Sequence, residues 1–456
     1  MPDFIAVSPD GHGFIDSATG RSFVPMGANY FDPNSGWPPK IWSRYSRETI
    51  NRQLGQFASA GLNCIRVFLD VKTLAPQERI YSDEGFAKVQ DMTAIAARHG
   101  IRIIFSGSSC WEGPPDYWHG DEFADPRKLD LICDLWRELV ERLGDNAAIM
   151  AWDLRNEPMV RFMSVRQELP RSATAPPPPP PRMRFALWRE HARNYLRRDV
   201  DDFPLYDRDP LPVMREYVRF LEGLAEKWVK QQCDAIRAAG ARQLITVGNI
   251  QWAVPVHIHL NTNYAHFNPQ RIGRWLDYAS VHFYPQLRNP EPGIAPELAI
   301  QKLYVELVAR GAAIAGKPLV IEEFGWKGGR KAPKDTRAFP EEEQTLWGDA
   351  LMDATGKVAS GWLNWAYADS ADPNTDISAA TGLFTADERI KHWGRRFCEY
   401  ARQFATAPPK YAPPKKVWAL DRVAWLAEHN GKPPIAAIER MLAADPTDSL
   451  EIVFRD

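Results

Sequence analysis

Cysteine is scarce in this chain, and charge of neither sign prevails. The five cysteines among 456 residues (Cys64, Cys110, Cys133, Cys233 and Cys398) are scattered and form no CxxC pair. That pattern argues against a disulfide scaffold and for buried free thiols. A formal net charge of −2 supplies no field to draw the chain to nucleic acid or to an anionic membrane. No stretch approaches the roughly 18 apolar residues of a membrane span. The start, MPDFIAVSPDGHGF, has no basic segment followed by an apolar run. The expectation is a soluble cytoplasmic protein, or a secreted one if a leader was removed. No GxGxxG or GxxxxGK[ST] follows an apolar run, so a nucleotide-binding sheet loses support and no cofactor is expected.

What is present is a globular balance of 45% hydrophobic and 25% charged residues, enough to bury a large core. The length fits one large barrel with insertions or two ordinary domains. Seventeen Trp is a high count, and indole stacks well on the apolar faces of sugar rings.

Short β-rich runs alternate with amphipathic helices. The predicted strands are Pro25–Tyr30, Asn63–Leu69, Ile101–Phe105, Ile149–Arg155, Gln243–Val247, Tyr278–Tyr284, Leu319–Phe324 and Gly361–Tyr367. A hairpin is expected before them, between His12 and Pro25. Gly61, Gly100, Gly240 and Gly316 end helical patterns just before strands, as C-cap chemistry favours. Eight strands with interleaved helices predict an α/β fold closed as a (β/α)8 TIM barrel over residues 1–405. Two segments break the rhythm. About 159–210 is an insertion after the fourth strand, with six consecutive prolines at Pro176–Pro181; it lies on the face where barrel active sites are built. Residues 406–456 read as a Pro-rich spacer and a small helical extension, with two short helices over Val417–Ala443.

Two strand ends carry chemistry. Ile149-Met-Ala-Trp-Asp-Leu-Arg-Asn-Glu-Pro158 presents Asn156 and Glu157, and Leu319-Val-Ile-Glu-Glu-Phe-Gly-Trp326 presents Glu323. By alternation, Leu319, Ile321 and Glu323 share one face while Glu322 takes the other. Two carboxyls on one barrel rim can flank a glycosidic bond, one protonating the leaving oxygen and the other attacking the anomeric carbon. A carboxylate dyad also splits its own pKa values, because one ionised group raises its neighbour. A single strand-end Glu is an ordinary charge; Asn-Glu-Pro and Glu-Phe-Gly together, in that order on separate strands, point to catalysis.

With these motifs the sequence resembles glycoside hydrolase family 5, in the clan of barrel glycosidases with catalytic Glu on the fourth and seventh strands. The resemblance runs from about Gly13 to Phe404. It implies Glu157 as general acid/base, Glu323 as nucleophile and Asn156 as the partner of the sugar 2-OH. It further implies that Arg66 holds the nucleophile ionised, that Tyr284 of the His282/Tyr284 pair hydrogen-bonds it, and that Trp365 floors the reacting sugar, with retention of configuration. Trp362, of opposite parity, is expected to pack. Asn29 and Tyr30 are expected to border the site. Trp37, Trp111, Trp118, Trp252 and Trp326 fall in loops on the catalytic face. His257 and His259 resemble a metal pair, but no compatible ligand set accompanies them and no metal is expected. The third strand, Ile101-Arg-Ile-Ile-Phe-Ser-Gly-Ser-Ser-Cys-Trp111, lacks the His that many family cellulases carry. That departure leans away from a standard endoglucanase and towards mannanase- or mannosidase-like relatives. The expected partner is a β-linked oligosaccharide or glycan. Transglycosylation and a non-catalytic carbohydrate-binding barrel are the alternatives.

Overall fold

In the computed structural model, residues 4–35, 40–110, 113–161, 182–255, 264–333, 335–429, 435–444 and 450–455 are described. Pro176–Pro181, His257, His259, Trp37 and Trp111 lie outside them. Three strands come first: β1 (Ile5–Val7), β2 (Phe14–Asp16) and β3 (Ser22–Phe23). The expected hairpin is β2–β3, with Asp16 Oδ1 accepting from the backbone N–H of Ala18 and Thr19 in its turn. β1 adds an antiparallel strand that the sequence reading does not include.

Eight parallel strands then close a barrel: β4 (Met26–Asn29), β5 (Cys64–Asp70), β6 (Arg102–Ser109), β7 (Ile149–Asn156), β8 (Leu244–Ile250), β9 (Ala279–Phe283), β10 (Leu319–Phe324) and β11 (Gly361–Asn364). All eight predicted strands are found, with ends moved by a few residues, and helices separate them. The helices start where their caps dictate. Ser46 accepts from Thr49 N, Ser82 from Gly85 N, and Asp125 from Arg127 N just ahead of Pro126, each satisfying an otherwise orphaned donor. Their apolar faces meet the outward side chains of the strands, such as Val67, Phe105, Trp152 and Ile321. Inside the barrel, Cys64, Ile104, Leu244, Tyr278, Val320 and Leu363 form an apolar floor, and Ile5 and Phe14 of the N-terminal sheet seal it from below. Above that floor the interior turns polar.

From the insertion, the helix Arg182–Tyr195 buries Trp188 against Tyr217 and Phe220 of the long helix Leu211–Ala238, on the outside of the barrel. The C-terminal extension adds two strands to its two short helices. Val417 lies in a strand, β12 (Lys416–Asp421), which pairs in parallel with β13 (Leu450–Arg455) around the helices Arg422–His429 and Ile435–Ala444. The side chains of β12 alternate between partial burial and exposure, a period-2 pattern whose partner lies too far along the chain for local reading to pair it. The extension docks on the barrel: Trp425 and Ile452 join its main core. Among the described residues, no helix is long and apolar enough to cross a membrane.

Candidate active site

Arg66, at the centre of the polar layer, is fully buried. Its guanidinium donates to Asp153 Oδ2 (2.6 and 3.0 Å), Glu323 Oε1 (2.6 Å), Asn156 Oδ1 (2.9 Å) and Asn29 Oδ1 (3.0 Å). Burial works against its charge, but Asp153, Glu323 and Glu322 together raise its pKa above the ordinary arginine value. Gly248 makes this packing possible. A Cβ there would sit 2.6 Å from Arg66 Nη2 and 3.1 Å from both Asp153 Oδ2 and His282 Nε2, so only glycine fits.

The seventh barrel strand corrects the parity argument. Val320 and Glu322 face the barrel interior, whereas Leu319 and Ile321 face the helices. Strict alternation would send Glu323 outward with Ile321. Instead the register with β9 shifts between Ile321 and Glu323, a bulge that turns Glu323 inward as well. The Glu322 carbonyl accepts from Asn29 Nδ2 at 2.8 Å, so this buried acceptor has a partner beside the bulge. Glu322 itself lies deeper, accepting from Tyr278 Oη and Ser280 Oγ at 2.7 Å each. Burial, with Asp153 adding to it, pushes its carboxyl up to about 7.

Glu157 sits at the end of β7 in the left-handed region (φ 47°), with its N–H donating to Gly248 O at 2.8 Å. Such a conformation costs about 1–3 kcal/mol in a non-glycine residue and concentrates at functional sites. Its Oε1 lies 3.0 Å from His282 Nδ1, which is also 3.5 Å from Glu323 Oε1. One oxygen of each carboxylate and a ring nitrogen of His282 all lie within 4.8 Å of one another. Burial lowers the His282 pKa to about 4, so the ring is neutral at pH 7 and donates one hydrogen. Those three groups have the composition of a cation site, but the Arg66 guanidinium already holds Glu323 and would repel a second cation.

The two carboxyls have unequal surroundings. Burial pushes Glu157 up to about 7, and Arg66 opposes it. Burial also raises Glu323, and Glu157 adds to it, but Arg66 and the Tyr284 hydroxyl (2.9 Å from Oε2) pull it back. A cavity of about 260 Å³ opens over both, walled by Gln251, Trp252, Tyr284, Trp365, Asp376 and Ile377 among others. Trp365 is held by Nε1 donating to Ser378 Oγ (2.9 Å) and by the rings of Phe31 and Phe68.

Glu157, Glu323, Arg66, Asn156, His282, Tyr284, Trp365 and Asn29 are thus brought together. Tyr30 is not. Next to inward Asn29 it points outward, its hydroxyl donating to Gln53 Oε1 at 2.6 Å behind the barrel wall, because adjacent strand residues take opposite faces. Trp326 lines a neighbouring cavity of about 230 Å³ that shares Tyr284 and Ile377 with the first. Trp118 packs under the Lys128 ammonium, 3.7 Å from the ring centre. Trp362 is buried against Phe404 on the outer face. Asp153, Gln251 and Asp376 join the site, though no sequence motif singles them out. A carboxylate inside the apolar run Ala151-Trp-Asp-Leu154 was the available signal for Asp153, since such a charge needs a buried partner.

A closed parallel barrel with two carboxyls across its C-terminal mouth, one flanked by arginine and tyrosine, is the architecture of a glycosidase. The chain matches the profile "Cellulase (glycosyl hydrolase family 5)" over residues 18–173 and 217–370, more than half its length. It belongs to glycosyl hydrolase family 5 and is a glycoside hydrolase. Among solved structures it is similar to a GH5_18 protein from Streptomyces cattleya in complex with Manβ1-4GlcNAc (TM-score 0.66, 18% identity, 94% of each chain). It is also similar to an exo-β-1,4-mannosidase from Opitutaceae bacterium strain TAV5 (TM-score 0.67, 19% identity, 98% of this chain and 72% of that one). A β-xylosidase from Phanerodontia chrysosporium is 30% identical over 111 residues, a match spanning 23% of that relative's length.

Proposed function

We propose that this enzyme hydrolyses β-mannosides with retention of configuration. The observation that carries the mechanism is the pair of unequal carboxyls with oxygens within 4.8 Å of each other. One oxygen of each carboxyl coming this close supports the retaining arrangement, in which the two groups stand about 5–5.5 Å apart, over the wider separation of an inverting enzyme. Glu157, pushed up to about 7, holds the proton that the leaving oxygen needs. Glu323, pulled back towards ionisation by Arg66 and Tyr284, attacks the anomeric carbon and forms a glycosyl-enzyme. Glu157, now ionised, takes a proton from water, which displaces Glu323 and completes the second inversion. Asn156, held by Arg66 Nη2, keeps its amide nitrogen for the sugar 2-OH, and Trp365 supplies an apolar floor.

The mannoside assignment rests on the missing third-strand His and on the likeness to mannoside-acting structures. The cavity beside Trp326 gives room for a second ring. An aryl-glycoside panel with the product anomer followed by NMR tests both parts. β-Mannoside is expected to be the best substrate, with β-mannose as first product. An α-anomer as first product overturns retention, and a stronger preference for β-glucoside overturns the sugar.

A further inference from the structure

The C-terminal extension sits far along the chain from the catalytic carboxyls, yet it holds one wall of their cavity. That wall is the short turn after β8. Gln251 clasps the backbone of Tyr284 through both amide atoms, Oε1 accepting from Tyr284 N (2.7 Å) and Nε2 donating to Tyr284 O (3.2 Å). Trp252 lines the cavity next to it. The same turn runs on to Pro255, whose carbonyl accepts from Trp425 Nε1 at 3.0 Å in a buried contact. Where the chain returns, Tyr264 Oη donates to the buried Glu222 (2.6 Å), and Arg422 of the extension donates to the other oxygen of that carboxylate (3.1 Å). Ala265 N closes the two ends on each other by donating to Trp252 O (3.0 Å), and Val160 N, three residues beyond Glu157, donates to Ala265 O (3.0 Å). From the opposite side, the helix Leu298–Ala312 approaches so closely that a Cβ on Gly311 would meet Val254 Cγ1 at 2.5 Å.

Residues 251–255 are therefore gripped between that helix and the extension, with Gln251 and Trp252 on the substrate side. A buried donor to a buried carbonyl is costly to lose, because the carbonyl keeps no partner. We propose that the extension is a positioning element of the active site, with Trp425 and Arg422 acting through residues 251–255 and 264–265 to fix the wall that contacts sugar. The claim of sugar contact rests on the glycosidase reading of the cavity. The grip itself does not.

Trp425→Phe removes the indole N–H while keeping an aromatic ring. Two measurements on the full-length enzyme separate the possibilities. Amide hydrogen exchange in peptides covering 250–255 and 264–268 needs no substrate; it should quicken in the variant while the barrel strands stay as protected as in wild type. Steady-state kinetics on a β-mannoside should show KM raised by about three- to ten-fold, the range for one lost buried hydrogen bond, with kcat within about two-fold. Gly311→Ala presses the same turn from the helix side and should raise KM likewise, giving a reading if Trp425→Phe does not fold. Unchanged exchange in Trp425→Phe refutes the grip. Quickened exchange with unchanged KM refutes the positioning role, as does unchanged KM in Gly311→Ala. If wild type turns over no glycoside, the glycosidase reading fails while the exchange result still decides the grip.

Discussion

Gly248→Ala adds one methyl group at the point where three site residues meet. The new Cβ would stand 2.6 Å from Arg66 Nη2 and 3.1 Å from Asp153 Oδ2 and His282 Nε2. Reaching ordinary van der Waals contact requires the guanidinium to withdraw by roughly 1 Å. It cannot do so freely, because the same group spans Asp153 and Glu323, each at 2.6 Å. Crowding of this kind costs about 1–3 kcal/mol of stability. A displacement of about 1 Å among reacting groups costs on the order of 10² in rate. The expected result is a fall of about 10²-fold in kcat/KM on an aryl β-mannoside, mostly in kcat, with a lowered Tm but a normal far-UV CD spectrum. Activity within about three-fold of wild type with an unchanged Tm would refute the account of how Arg66 is confined.

The pH profile of kcat/KM should fall on its alkaline side with a midpoint near pH 7, because Glu157 must be protonated and its pKa is raised to about 7; a plateau extending past pH 9 would contradict that role. Tyr284→Phe removes a donor that lowers the Glu323 pKa, so its acid limb should move to higher pH and kcat/KM fall by about ten-fold or more, checked by the same titration. Glu157→Ala should lose about 10²–10⁴-fold in kcat/KM on an oligosaccharide but far less in kcat/KM on a dinitrophenyl glycoside, whose leaving group needs no proton; equal losses would assign Glu157 another task. Glu322 has a folded pKa raised to about 7, so its contribution to stability is full below the unfolded value and is lost as pH rises through about 7. Glu322→Gln stays neutral, and its Tm should vary less between pH 5 and 8 than that of wild type.

The barrel was legible because its signals are local: eight β-rich runs, helix caps, and glycines that end helices. The site residues were legible where a strand end coincides with a motif, as at Asn156-Glu157 and Glu323-Phe324-Gly325. Three features were hidden for physical reasons. The bulge before Glu323 overrides alternation, and nothing in Ile321-Glu-Glu-Phe324 announces it. Tyr30 departs from the expectation because it takes the face opposite Asn29, and two adjacent residues at a regular strand end cannot both border the site. The strands of the extension escaped because their pairing joins segments on either side of two helices, and only tertiary contact defines it.

The bulge also bears on chemical labelling. Glu322 and Glu323 are adjacent in the chain and both face inward, yet one is sealed beneath Arg66 while the other opens to the cavity. A fluorosugar trapped as a covalent adduct would land on a peptide containing both, and the mass of that peptide would be the same for either attachment. Cleavage of the bond between the two glutamates in the mass spectrometer is what distinguishes them, and the adduct should travel with the C-terminal fragment.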